Sequence, residues 1–167
     1  MASEATPPLP DLPALQGRRF SIARRQDIQS EPARILLEWW ENVARQHPPT
    51  LRDFDVAEHA RIAANLFIIE LVDDAFELKL CGEEFVRLIQ RKRGMRWRES
   101  DEDEIARDYA IFLGTVSRNK RPYLGSGPLV LDGRVWVAFE SITCPLLADN
   151  GQTSVFIGSV CAIDKGA

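Results

Sequence analysis

Glu140 is the side chain whose type and surroundings come closest to suggesting chemistry. It lies between Ala138 and Ile142 on a largely apolar face of a predicted strand. A carboxyl group in such a setting can act as a tuned acid or base, or as a polar anchor for a ligand. We favour a simpler interpretation, in which Glu140 lies at an edge or forms an ion pair with an N-terminal arginine.

Histidine and cysteine form no pattern typical of a metal site. His47 and His59 have neither the spacing of an HxxxH pair nor a CxxC partner. Cys81, Cys144 and Cys161 each lie in or beside an apolar run. We interpret them as small buried side chains of a protein from a reducing compartment, and we predict no metal ligands.

A dense basic run is a candidate surface for an anion or an acidic partner. Trp97 lies within this run, whose main members are Arg91, Arg93, Arg96 and Arg98. The acidic residues 101–104 follow directly, within about the 10 Å over which charges act at moderate salt. We therefore favour a solvated and largely neutralised loop.

Composition limits the class of protein. The chain has 167 residues, enough for one domain with a substantial core. Its 21 basic and 25 acidic residues give a net charge of −4, which argues against nucleic acid as a partner. The apolar runs are too short to span a membrane, and residues 1–10 lack the pattern of a secretory signal. These features predict a cytoplasmic protein.

The N-terminal part divides into a tail and a helix. Residues 1–30 are rich in proline and then in arginine, and we predict a disordered or partly ordered tail. One domain, residues 31–167, follows. Its first element is an amphipathic helix over residues 33–46, which begins at Pro32 and ends before Pro48.

The middle of the chain predicts a hairpin followed by helices. Residues 66–72 form the first strand, and Phe76–Leu80 alternates between apolar and charged residues as a half-buried strand does. Residues 83–93 and a longer segment that ends near Asn119 then show helical periodicity. These two helices form an insert in the sheet.

The last third predicts a three-stranded meander. Strands over residues 128–131, 134–143 and 154–163 are separated by turns at Asp132–Gly133 and at residues 149–151. Together with the hairpin, the meander predicts an α+β fold with a five-stranded antiparallel sheet. Both faces of its last two strands are largely apolar, so we expect both to be covered.

The helix over residues 33–46 is the candidate cover for the face that the inserted helices leave free. It would act within one chain or across a homodimer, which we expect. The residues that would form this cover or dimer contact are Leu36, Trp39, Trp40, Val43, Trp136, Ile142 and Phe156.

A pocket between the sheet and the inserted helices is a second candidate site. Its lining would hold a small apolar ligand, although the same side chains can simply pack the core. The predicted lining is Leu78, Leu80, Phe85, Ile89, Tyr109, Phe112, Val137 and Phe139.

The order of a hairpin, a helical insert and a meander resembles that of a PAS domain. Within that class, residues 36–163 resemble the bacterial PAS_5 family. The similar segments are Trp39 or Trp40 in the N-terminal helix, the stretch Arg52–Asp55, and the strands Leu66–Glu70 and Phe76–Gly82. The turn at residues 91–98 departs from the family pattern, since only Gly94 fits it.

The resemblance implies a sensory or protein-interaction module in bacterial signalling, with an unknown signalling protein as partner. It brings no catalytic residue. Haem-binding relatives use an axial histidine on the long helix, and residues 101–120 contain none. The Asn-Cys-Arg motif of photoactive flavin modules is also absent. The resemblance therefore disfavours histidine-ligated haem and photoactive flavin and leaves the cofactor unknown.

An enzyme is the alternative. Folds of the ketosteroid-isomerase type also combine a curved sheet with helices, and they use a carboxylate base with a tyrosine donor. Glu140 with Tyr109 or Tyr123 would fill these roles. That fold places its long helices before most of its sheet, however, whereas here a hairpin comes first.

Overall fold

The computed structural model describes residues 12–15, 17–131 and 135–163. They form one antiparallel sheet with the strand order β1-β5-β6-β7-β2-β3-β4. The strands are β1 (Arg19–Ile22), β2 (Leu66–Val72), β3 (Ala75–Cys81), β4 (Arg96–Trp97), β5 (Tyr123–Leu131), β6 (Val135–Leu147) and β7 (Thr153–Ala162). The α-helices are α1 (Glu31–Ala44), α2 (Glu83–Ile89) and α3 (Glu104–Asn119).

The connections confirm the predicted fold class. The hairpin β2–β3 is followed by α2 and α3, and the meander β5–β6–β7 then returns so that β7 pairs with β2. This is the PAS-like arrangement of an α+β protein. The Asp132–Gly133 turn lies outside the described residues.

The sheet has seven strands, and the predicted number of five was wrong. The two additional strands, β1 and β4, lie at the opposite edges. β1 has only four residues and pairs with β5, while β4 has two and pairs with Phe76 and Glu77. Such short strands give almost no periodic signal in a sequence.

The arginine-rich segment before α1 therefore contributes to the sheet. Residues 1–11 lie outside the described residues. Between Gly17 and Ser30 the chain forms β1 and a short 3-10 helix, Arg25–Asp27. β1 pairs with β5, a contact that the prediction of a disordered or partly ordered tail did not include.

Helix ends follow from local capping. α1 begins at Glu31, two residues before the predicted start, because Pro32 fits the first turn of a helix. At α3, the Asp103 side chain accepts a hydrogen bond from the Ile105 N–H at 3.1 Å. Lys120 then ends α3 in a left-handed conformation, with φ of 54°.

Two hydrophobic cores lie on opposite faces of the sheet. The α1 face joins α1 to β5, β6, β7 and β2 through Leu36, Leu37, Leu124, Ile142, Cys144, Leu146, Ile157 and Ile68. The α2–α3 face joins the other two helices to the sheet through Phe67, Ile69, Leu78, Phe85, Leu88, Phe112, Phe139 and Phe156. The expectation that both faces are covered is confirmed, and the cover of the α1 face comes from the same chain.

A β-bulge in the hairpin changes the direction of one predicted core residue. Ile68 pairs with Leu80 and Ile69 pairs with Leu78, so Lys79 is an extra residue in β3. Leu80 consequently lies on the same face as Ile68 and is 40% exposed, whereas Leu78 is fully buried on the α2–α3 face. Within the described residues, every helix is too short or too polar to cross a bilayer.

Candidate ligand cavity

A cavity of about 470 Å³ lies on the α2–α3 face. It falls in the range of small-molecule sites, which are roughly 300–1,000 Å³ and mostly apolar. Aromatic side chains form much of the wall: Phe20, Phe67, Phe85, Trp97, Tyr109, Phe112 and Phe139. Several pack in pairs, with ring centroids 4.4 Å apart for Phe20 and Phe112 and 5.3 Å apart for Trp97 and Tyr109.

The structure brings five of the eight predicted lining residues to the cavity: Phe85, Ile89, Tyr109, Phe112 and Phe139. Val137 packs against the same core without lining the cavity. Leu78 is buried deeper in that core. Leu80 does not belong to the site, because the bulge directs it to the other face.

One wall of the cavity was not predicted from the sequence. Ala14, Leu15, Arg18 and Phe20 line it from the N-terminal segment. The alternation of Phe20 and Ile22 with Arg19 and Ser21 is the signal that could have shown this strand. It covers four residues, which is too short to separate from a loop.

Arg18 is the most unusual residue of the cavity. It is half-buried, and its guanidinium lies 5.7 Å from the centre of the Phe139 ring. Burial lowers its pKa, but an arginine remains protonated under ordinary conditions. Within the described part of the chain it has no carboxylate within ion-pair distance.

Glu140 lies away from this cavity, on the α1 face of the sheet. It is 2% exposed and accepts hydrogen bonds from the backbone N–H groups of Gln29 (2.9 Å) and Ser30 (2.8 Å) and from the Ser30 hydroxyl (2.7 Å). A carboxylate at these donors also suits the positive end of α1. Glu140 thus links β6 to the start of α1 through hydrogen bonds. The predicted edge position or arginine ion pair was wrong.

The two tyrosines do not join Glu140 in a site. Tyr109 is on the α2–α3 face, where burial raises the pKa of its hydroxyl and the Arg18 charge opposes that rise. Tyr123 is 1% exposed, and its hydroxyl accepts a hydrogen bond from the Asn119 amide. The arrangement of a carboxylate facing a tyrosine donor is therefore not formed.

Most residues predicted to form a cover or dimer contact pack within the chain. Leu36 and Ile142 are fully buried on the α1 face. The indoles of Trp39 and Trp40 donate to the carbonyls of Asp53 (3.2 Å) and Pro145 (2.9 Å). Val43 is half-buried.

Phe156 and Trp136 differ from the other residues predicted to form a cover or dimer contact. Phe156 is buried on the α2–α3 face, opposite to its predicted side. Its strand is apolar on both faces, so the pattern could not assign the side. The side chain of Trp136 lies outside the described residues.

The basic run is partly neutralised by ion pairs. Arg96 pairs with Glu77 at 2.7 Å, and Arg98 pairs with Asp74 at 3.3 Å. Arg93 is exposed, and Arg91 lines the cavity. The four arginines therefore do not form one surface with a common role, because they differ in partners and direction.

Comparisons with known proteins give weak likenesses. No family model matches the chain, and no curated protein matches it. The PAS domain of Bordetella pertussis BvgS is similar in structure, with 18% identity, a TM-score of 0.47, and coverage of 67% of this chain and 89% of that one. An RNA-binding light-oxygen-voltage receptor has 16% identity and a TM-score of 0.43, and the match covers 69% of this chain and 35% of that one. A fungal LOV domain photoreceptor has 12% identity and a TM-score of 0.43, and the match covers 77% of this chain and 91% of that one.

The chain thus spans about a third of the RNA-binding receptor. All three TM-scores are below 0.5. The PAS-like fold therefore rests on the strand order and connections described above, and a fold by itself does not assign a function.

Proposed function

We propose that this chain is a non-enzymatic sensory module that holds a small, largely apolar ligand between the sheet and helices α2 and α3. The observation that carries the proposal is the cavity of about 470 Å³ with its aromatic wall. Close packing normally fills protein interiors and leaves few voids larger than a water molecule. A space of this size with an aromatic wall favours a binding role.

Native mass spectrometry of the purified full chain tests the proposal. We expect a population with additional mass that is lost on denaturation, which would identify a bound small molecule. A chain that carries no additional mass and takes up no apolar probe would contradict the proposal and leave protein interaction as the remaining role.

The isomerase alternative loses its main support. Its proposed base, Glu140, receives hydrogen bonds from Gln29 and Ser30 on the α1 face, while Tyr109 lies on the other face. No other observation favours an enzyme, so we do not carry this alternative further.

The setting of the module is also part of the proposal. We propose a cytoplasmic member of the PAS_5 family that acts as a homodimer and contacts a signalling protein. Because Leu36 and Ile142 are buried within one chain, the dimer must use another surface. Light scattering on the full chain measures this state, and a monomer at all concentrations would contradict it.

A further inference from the structure

The N-terminal segment closes one side of the cavity and is held at two points. The Ala14 N–H donates to the Asp108 carboxylate of α3 at 2.8 Å, and Leu15 is 3% exposed. Farther on, β1 pairs with β5. A Cβ at Gly127 would lie 2.5 Å from the Gly17 carbonyl oxygen, so this close approach requires glycine. The segment therefore has a defined position against α3 and β5.

This position places a positive charge in a mostly apolar site. Arg18 lines the cavity, and its guanidinium is near the Phe139 ring. A second arginine, Arg91, lines the cavity from the turn after α2 and also has no ion pair among the described residues. No carboxylate of the described residues belongs to the lining. Among the described residues, the positive charges of the lining therefore have no acidic partner within it.

Partial removal of a charge from water is costly unless the charge is paired, and the ring contact of Arg18 with Phe139 offsets only part of that cost. Tyr109 also lines the cavity, and burial raises the pKa of its hydroxyl. Among the described residues, the Arg18 guanidinium has no carboxylate partner.

We propose that Arg18, assisted by Tyr109 and Arg91, binds the carboxylate of a small amphiphile whose apolar part fills the rest of the cavity. A guanidinium binds a carboxylate with two parallel hydrogen bonds. The aromatic wall suits a hydrocarbon chain or ring. At about 30 Å³ for each water-sized group, the cavity has room for roughly 15 non-hydrogen atoms.

This inference rests on the proposed function and gives the ligand a chemical class. It also gives the segment before α1 a role, since its strand delivers the residue that recognises the headgroup. A ligand-binding site built only from β2, β3, α2 and α3 would lack that residue.

Calorimetric titrations of the full chain with decanoate and with 1-decanol, which share a chain and differ in charge, test the inference at pH 7.5. We expect the wild type to bind decanoate about tenfold or more tightly than the alcohol. Equal affinities, or no binding of decanoate, would overturn it. Binding of the alcohol alone would preserve the proposed function, whereas binding of neither probe would count against both proposals.

Arg18→Met and Arg19→Met form a matched pair of variants, because Arg19 is adjacent but exposed. We expect Arg18→Met to weaken decanoate binding about tenfold to a hundredfold, with little change for 1-decanol. Arg19→Met should leave both affinities unchanged. Equal effects of the two substitutions would contradict the role of Arg18. If Arg18→Met does not fold, the Tyr109→Phe variant and the wild-type comparison of the two probes still test whether the cavity binds a carboxylate.

Discussion

The two faces of the sheet differ in how completely they are filled. On the α1 face, apolar side chains of α1 and the sheet pack closely, and the buried carboxylate of Glu140 meets three donors. On the α2–α3 face a cavity remains, and Arg18 lines it without an acidic neighbour among the described lining residues. A face whose buried carboxylate meets its donors is typical of a structural core, whereas an open cavity with a largely aromatic wall is typical of a binding site.

Leu36→Ala tests the closed character of the α1 face and should have the largest effect. Leu36 is fully buried, so truncation leaves a cavity and should lower the free energy of unfolding by about 3–4 kcal/mol. Urea denaturation measures the loss. Val43→Ala, at a half-buried position on the same helix, is the control and should cost much less. Similar losses for both would show that the α1 face is not tightly packed.

Glu140→Gln tests the anchor of α1 and should rank second. The amide keeps the shape but offers one acceptor where the carboxylate offers two to the N–H groups of Gln29 and Ser30. We expect the free energy of unfolding to fall by about 2–3 kcal/mol. Glu38→Gln, on the exposed side of α1, should change it little. Decanoate affinity should be unchanged in the folded variant, and a loss of affinity would place Glu140 in the ligand site.

Adding volume to each face compares them directly. Ala33 is fully buried on the α1 face, and Ala33→Leu should cost about 1–3 kcal/mol of unfolding free energy through overpacking. Leu129 borders the cavity, so Leu129→Phe can extend into free space and should cost less than about 1 kcal/mol. It should also reduce decanoate binding. The reverse order of costs would mean that the cavity is not free space.

The ion pairs of the basic run should have the smallest effect. Hydrogen bonds from Lys79 and then Arg96 lower the pKa of Glu77. Because the pKa of Glu77 is lowered in the folded state, the carboxylate stabilises the protein at pH values above the ordinary glutamate pKa of 4.5. This stabilisation is lost as the pH falls through the pKa of Glu77 in the folded state. The thermal midpoint of Glu77→Gln should therefore differ slightly from wild type at pH 7 and converge with it below pH 4.5. Glu102→Gln, at an exposed residue, should show no such trend.

Sequence periodicity predicts the helical wall of the cavity and fails at its N-terminal wall. Tyr109 and Phe112 belong to a stripe that repeats with the helical period over α3, so their common direction is visible in the sequence. Phe20 lies in a four-residue strand, where two apolar positions do not establish a period. Arg18 therefore resembles any other arginine of a charged segment until its pairing partner, β5, is known.

The predictions for Leu80 and Glu140 were wrong because they depend on backbone features that the residue types do not indicate. The bulge at Lys79 reverses the side of Leu80, and a single extra residue leaves no mark in an alternating pattern. The partners of Glu140 are backbone N–H groups, which every residue except proline possesses. The sequence places Glu140 on a mostly apolar strand face, and it favoured an edge position or an arginine ion pair over the contact with the start of α1 that the structure shows.

Indole N–H signals in a proton–nitrogen correlation spectrum test the contrast between the faces most directly. Trp97 lines the cavity, whereas Trp39 and Trp40 lie beside the α1 face. Titration of the full chain with decanoate, with signals assigned by single Trp→Phe substitutions, should shift the Trp97 indole and leave those of Trp39 and Trp40 in place. Shifts confined to Trp39 or Trp40, or no shift at Trp97 at saturation, would contradict the account.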